Sequence, residues 1–130
     1  MNIRNNVTGL QHIGIPTKDI ETTIAFYESL GFEVVHRTIN PANGDHVAFL
    51  RLHNLTVETY ECAATEMKSG AIDHMALDVS DVEAVFDMLS NAGYKLLDKE
   101  VQFLPFWEHG VRFFTICGPN NEKIEFSQYL

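Results

Sequence analysis

Two histidines and two glutamates are the residues of this 130-residue chain whose types and placement could do chemistry together: His12, Glu58, His74 and Glu125. Each alone is unimpressive. Glu125 stands in KIEF (123–126), where Ile124 and Phe126 would pack inward on a strand while Lys123, Glu125 and Ser127 could simply face water. A lone histidine on a strand is more often a surface or satisfied core residue than a ligand, and His36, His46, His53 and His109 are read as structural on that ground. Brought to one point, however, the four would have specific chemistry. Two carboxylates shielded from water repel, and one is forced to take a proton. Burying either of them unpaired is costly. A divalent cation relieves both problems, and two neutral imidazoles complete four ligands without adding charge. Such nitrogen and oxygen donors suit Zn, Ni, Co, Mn or Fe.

What would bring the four together is an internal repeat. LQHIGIPTKDIETTIAFYESLGFEVV (10–35) lies over IDHMALDVSDVEAVFDMLSNAGYKLL (72–97) at a constant offset of 62, without a gap. His12 falls on His74, Asp19 on Asp81, Glu21 on Glu83 and Gly31 on Gly93, and apolar positions match as well. DHVAFLRLH (45–53) then resembles HGVRFFTIC (109–117), and NLTVETYE (54–61) resembles NEKIEFSQ (121–128), with Glu58 on Glu125 at an offset grown to 67. Loop insertions account for that growth. If the copies pack about a pseudo-twofold axis, equivalent positions facing the axis converge, and the two histidines and two glutamates form one cluster.

The elements that must position these residues follow from periodicity. Ile13 and Ile15, and Met75 and Leu77, alternate as strands. The pattern then turns helical, with Ile20, Ile24 and Tyr27 on one face in the first copy and Val82, Val85, Phe86 and Leu89 in the second. Ser80 and Glu83 have the spacing of a capping box, whereas Asp19 is the expected cap of the first helix. Gly31 and Gly93 stand where helices end on a left-handed residue. Each half therefore reads strand–helix–strand–strand–strand. The expected fold class is α+β, two βαβββ modules paired around a metal site. One domain would cover 1–130, made of module 1 (about 8–61), a linker (62–70) and module 2 (about 71–130).

Composition excludes several function classes. A formal net charge of -9 with scattered Lys and Arg argues against nucleic acid, which requires a basic face. No apolar run approaches a signal peptide or a membrane span. Cys62 and Cys117 lie far apart and form no redox or metal-binding pair, so a reducing cytoplasmic compartment is expected.

The stretches LQHIGI, FYESLGFEVV, TVETYE, IDHMALDVSD and GPNNEKIEF make the chain similar to the vicinal oxygen chelate superfamily from Leu10 to Tyr129. Members include glyoxalase I, fosfomycin-resistance proteins, extradiol dioxygenases and bleomycin-binding proteins. His12, Glu58, His74 and Glu125 match, one by one, the metal ligands of the small bacterial glyoxalase I enzymes. The resemblance implies a divalent metal ion, with Ni or Zn foremost and Co, Mn or Fe also compatible, and a small-molecule substrate. It also implies a homodimer, with modules paired within a chain or exchanged across it. The implied activity is a glyoxalase I-like lyase isomerising a hemithioacetal of a 2-oxoaldehyde and a thiol by proton transfer through an enediolate. Glu125 would be the base, and Glu58 the opposite ligand and second proton carrier.

The match has departures. The family's arginine four residues after the first histidine, a glutathione contact, is Pro16 here. The asparagine after the first glutamate is replaced around Glu61 and Cys62, and the D-P-x-G turn reads Gly118-Pro119-Asn120-Asn121. Another metal-dependent member, such as an epimerase, a thiol transferase or a dioxygenase-like enzyme, is therefore an alternative. A non-catalytic small-molecule or antibiotic-binding protein is another, although such members lack the ligand set. LPFWEHG (104–110) is read as a loop whose aromatics either wall the pocket or pack on the sheet.

Overall fold

The computed structural model describes residues 2–130 and divides into two compact units, one ending at Thr65 and the other beginning at Glu66. In the first, a short helix α1 (Ile3–Asn6) precedes β1 (Ile13–Thr17), α2 (Ile20–Ser29), β2 (Glu33–Ile39), β3 (His46–Leu52) and β4 (Leu55–Glu61). The second comprises β5 (His74–Asp78), α3 (Val82–Asn91), β6 (Lys95–Leu96), β7 (Gln102–Leu104), β8 (Val111–Cys117) and β9 (Lys123–Tyr129). The class is α+β with two sheets.

In the first unit the strand order is β1-β4-β3-β2, with β1 and β4 parallel and the other pairs antiparallel. The order in the second is β5-β9-β8-β6, again with its first and last strands parallel, and β7 also pairs with β8. Each sheet carries one helix on one face: α2 packs on β2, β3 and β4, and α3 packs on β8 and β9. Alternation along the strands then decides what is buried. On β4, Val57 and Thr59 are buried under α2 while Glu58 turns to the opposite, open face. On β9, Ile124 and Phe126 are buried and Glu125 is on the open face.

The two cores are built alike. Ile20, Ile24 and Tyr27 of α2 are buried, and the Tyr27 ring meets Phe32 edge-on at 5.2 Å. Val82 and Leu89 of α3 are buried, while Phe86 meets the fully buried Phe114 edge-on at 5.1 Å. Phe114 in turn stacks on Phe126 at 5.1 Å.

Helix boundaries repeat too. Asp19 caps α2 as expected, accepting from the N–H groups of Glu21 and Thr22. The cap of α3, however, is Asp81 and not Ser80, and its carboxylate accepts from the Ala84 N–H. Glu83 does not close a capping box, because it pairs with Arg112 on β8. The equivalent Glu21 pairs with Arg37 on β2. A second tie holds each helix start to its sheet: the Ile20 N–H donates to Glu61 Oε2 at 3.0 Å, and the Val82 N–H donates to Gln128 Oε1 at 2.9 Å. Both helices end on a glycine of positive φ, Gly31 at 101° and Gly93 at 83°.

The second unit departs from the repeat in one place. The strand after its helix is split into β6 and β7, where the first unit has a continuous β2. Asp98 stands at the break, and its carboxylate accepts the Thr115 N–H at 2.8 Å, replacing a backbone partner in the ladder. In the loop that follows β7, Phe106 and Trp107 are exposed, and Trp107 sits at φ 63° with its ring edge-on to Tyr129 at 5.5 Å. Among the described residues, no helix is long and apolar enough to cross a membrane.

Candidate functional site

Parallel pairing of the first and last strands places a histidine beside a glutamate in each unit. Gly14 stands opposite Glu58, and Ala76 stands opposite Glu125. His12 and His74 lie two residues earlier, so strand alternation puts them on the same open face. Each carboxylate thus projects past a residue with little or no side chain. A Cβ at Gly14 would already lie 3.9 Å from Glu58 Oε1. In the first unit His12 Nε2 lies 3.5 Å from Glu58 Oε1. In the second, His74 Nε2 lies 3.6 Å from Glu125 Oε2.

These gaps exceed the N–H···O range of about 2.7–3.2 Å, so neither pair is hydrogen-bonded. The far side of each ring explains the arrangement. His12 Nδ1 lies 2.9 Å from Gln11 Oε1, and His74 Nδ1 lies 2.9 Å from Asp73 Oδ2. A carboxylate oxygen can only accept, so the His74 Nδ1 carries the proton, and in the neutral ring Nε2 presents a lone pair to Glu125. Two acceptors held face to face suit a cation between them. Donors about 2.1 Å from a tetrahedral or octahedral ion are separated by roughly 3.0–3.4 Å, close to both gaps. Each nitrogen and oxygen pair, taken within its own unit, therefore has the spacing of two ligands of a divalent metal. Among the described residues, no group of three or more His, Cys, Asp or Glu has metal-holding geometry.

The two pairs differ in electrostatics. The Glu125 side chain is 18% exposed against 26% for Glu58. Burial pushes the Glu125 carboxyl up from the usual carboxylate range, His74 pulls it down, and Asp98 adds to the rise. Asp73 is held low by its hydrogen bond to His74 and by Lys123, whose Nζ is 3.0 Å from Oδ1.

Sequence reasoning paired His12 with Glu58 and His74 with Glu125, which the strands bring within 3.5 and 3.6 Å, but missed what surrounds His12. A groove of about 370 Å³ opens on the first unit beside His12, lined among others by His36, Phe49, Arg51 and Thr56. His36, read as structural, faces this groove, with its ring centroid 6.0 Å from that of Phe49. Alternation from Glu58 across the β3–β4 register, which pairs Phe49 with Glu58 and Arg51 with Thr56, was the available signal. His46, His53 and His109 do not line this groove.

Known proteins agree with this architecture. A family model for the Glyoxalase/Bleomycin resistance protein/Dioxygenase superfamily matches residues 11–114. The Bacillus subtilis protein YwbC is 32% identical over 124 residues, covering 92% of this chain and 96% of that protein. Human mitochondrial methylmalonyl-CoA epimerase is 26% identical over 107 residues, covering 75% of this chain and 61% of the epimerase. Among solved structures, the fosfomycin resistance protein FosX of Listeria monocytogenes, complexed with Mn(II) and sulfate, superposes with a TM-score of 0.72 at 16% identity, covering 95% of this chain and 94% of FosX. The chain belongs to the glyoxalase/bleomycin resistance protein/dioxygenase superfamily, also called vicinal oxygen chelate.

Proposed function

We propose that the protein is a metal-dependent enzyme that moves a proton at a carbon next to a carbonyl. In this reading His12, Glu58, His74 and Glu125 hold one divalent cation, with Ni or Zn foremost, and the pairs come together within one chain or across a homodimer. The observation that carries it is the matched pair of Nε2-to-carboxylate gaps, 3.5 and 3.6 Å, each with Nδ1 tied to an oxygen acceptor. When bound, the cation supplies Lewis-acid stabilisation of the negative charge that develops on a substrate oxygen. Glu125 takes the proton from carbon, as the more buried of the two carboxylates and the one whose proton affinity burial raises. Glu58 is the second proton carrier. Asp73 and Gln11 orient the two imidazoles.

The ligand set favours a glyoxalase I-like lyase acting on the hemithioacetal of a 2-oxoaldehyde and a thiol. An epimerase is the second reading, supported by the likeness to methylmalonyl-CoA epimerase and by Pro16 at the glutathione-contact position. Both use the same proton chemistry. The test is metal analysis and thermal shift with Ni, Zn, Co and Mn, followed by turnover assays. Methylglyoxal is offered with glutathione and with other small thiols, and methylmalonyl-CoA is followed by exchange of its α-proton in D2O. Absence of any bound divalent metal overturns the reading. Metal binding with exchange but no lyase activity selects the epimerase.

A further inference from the structure

The first unit holds a cation that its ion pairs do not use. Arg37 is paired with Glu21, Arg112 with Glu83 and Lys123 with Asp73. Arg51 on β3 has no carboxylate within ion-pair distance among the described residues. Glu33 stands directly opposite it on β2, yet the guanidinium turns the other way. Its Nε–H donates to Thr56 Oγ1 on β4 at 3.2 Å, on the side toward His12. Both residues line the groove of about 370 Å³ that opens beside His12. Held by Nε, the guanidinium keeps its two terminal amino groups unpartnered among the described residues, a fork that matches carboxylate and phosphate oxygens.

The chain is strongly acidic, with a formal net charge of -9, so its overall field repels anions. The unpaired guanidinium, in a groove next to a candidate metal ligand, is a local exception to that field. Thr56 is Arg51's cross-strand partner, and His12 immediately precedes Ile13, which pairs with Val57. His12, Thr56 and Arg51 therefore stand in one row across three strands, with the outer backbones about 10 Å apart. We propose that Arg51, supported by Thr56, binds an oxyanion on the substrate, and that the enzyme therefore selects acidic small molecules whose charged group lies about 5–10 Å from the chelating oxygens. This rests on the metal-dependent reading above for its chelating end only.

The experiment compares matched probes on the full chain, metal-loaded and metal-free. 2-Hydroxyglutarate is set against 2-hydroxyvalerate, which replaces the distal carboxylate by a methyl group. 3-Phosphoglycerate is set against glycerate for a distal phosphate. With metal, calorimetry should show one acidic probe binding about tenfold to a hundredfold tighter than its neutral-tailed partner, the contribution of a charge-assisted contact. R51M should abolish that preference while leaving metal affinity and 2-hydroxyvalerate binding unchanged, and R51K should keep part of it. Which pair shows the preference identifies carboxylate or phosphate as the source. Without metal, the acidic probe should move the Arg51 Nε–H resonance of the wild type and its neutral partner should not. Equal affinities within both pairs, a preference that survives R51M, or an Nε–H signal indifferent to the acidic probes overturns the proposal. Failure to bind metal with a responsive Nε–H signal overturns only the metal reading.

Discussion

Replacing Glu125 with Gln should act in opposite directions with and without metal. The carboxylate is 82% shielded, its side chain being 18% exposed, and burial raises its affinity for a proton. In metal-free protein its ionisation therefore opposes folding. The folded-state pKa lies above the unfolded value of 4.5, so between the two the native state binds more protons. Stability from this group is fully present below 4.5 and is lost as pH rises through the folded pKa, with a slope of at most about 1.4 kcal/mol per pH unit. E125Q lacks that slope, and above the folded pKa it should match or exceed the wild type in EDTA. With metal the order reverses. A metal at one hundred times Kd stabilises the wild type by about 2.7 kcal/mol, or roughly 8–13 °C in Tm for a chain of 130 residues. A hundredfold weaker site in E125Q would leave about 0.4 kcal/mol, 1–2 °C, at the same concentration. Differential scanning calorimetry of both proteins from pH 4 to 8, in EDTA and in Ni or Zn, reads all of this. A strongly destabilised metal-free E125Q, or a full metal-dependent rise in it, would refute the reasoning.

Other perturbations follow from single contacts. D73N replaces the carboxylate on His74 Nδ1 by an amide and should weaken metal binding about 10–100-fold, measured by competition with a chromogenic chelator. Thr59 is fully buried, and its Oγ1 has no partner among the described residues, so T59V should stabilise the protein by about 1–2 kcal/mol in urea unfolding. Q128A removes the acceptor of the Val82 N–H at the start of α3 and should cost about 0.5–1.5 kcal/mol in the same assay.

The repeat made most of the fold legible, because backbone periodicity and a matched offset are properties of sequence alone. Both helices, their glycine ends and the inward turn of Ile124 and Phe126 follow from it, and so does the outward turn of Glu58 and Glu125. What escaped is set by contacts distant in sequence. Ser80 has the spacing for a capping box, but Glu83 is drawn off by Arg112, 29 positions away, and Asp81 caps instead. The break between β6 and β7 depends on Asp98 reaching Thr115 across the sheet. Gln11 and Asp73 precede the histidines, yet only the folded strand shows their oxygens on Nδ1. Within each unit the histidine and glutamate were brought together from residues 46 and 51 positions apart, which the register alone accomplishes.

That same parallel closure sets an order of events during synthesis. Because β1 pairs with β4, the strand carrying Glu58 is the last of its unit to be made, and His12 waits without its partner until then. At about 5–20 residues per second, the ribosome takes roughly 2–9 s to supply those 46 residues. Through that interval both edges of β1 lack a strand partner, and the edge that β4 will cover must be shielded until that strand arrives. The histidine–glutamate contact in each unit is thus the last long-range closure of its sheet, and a nascent chain that shows it has completed that unit's topology.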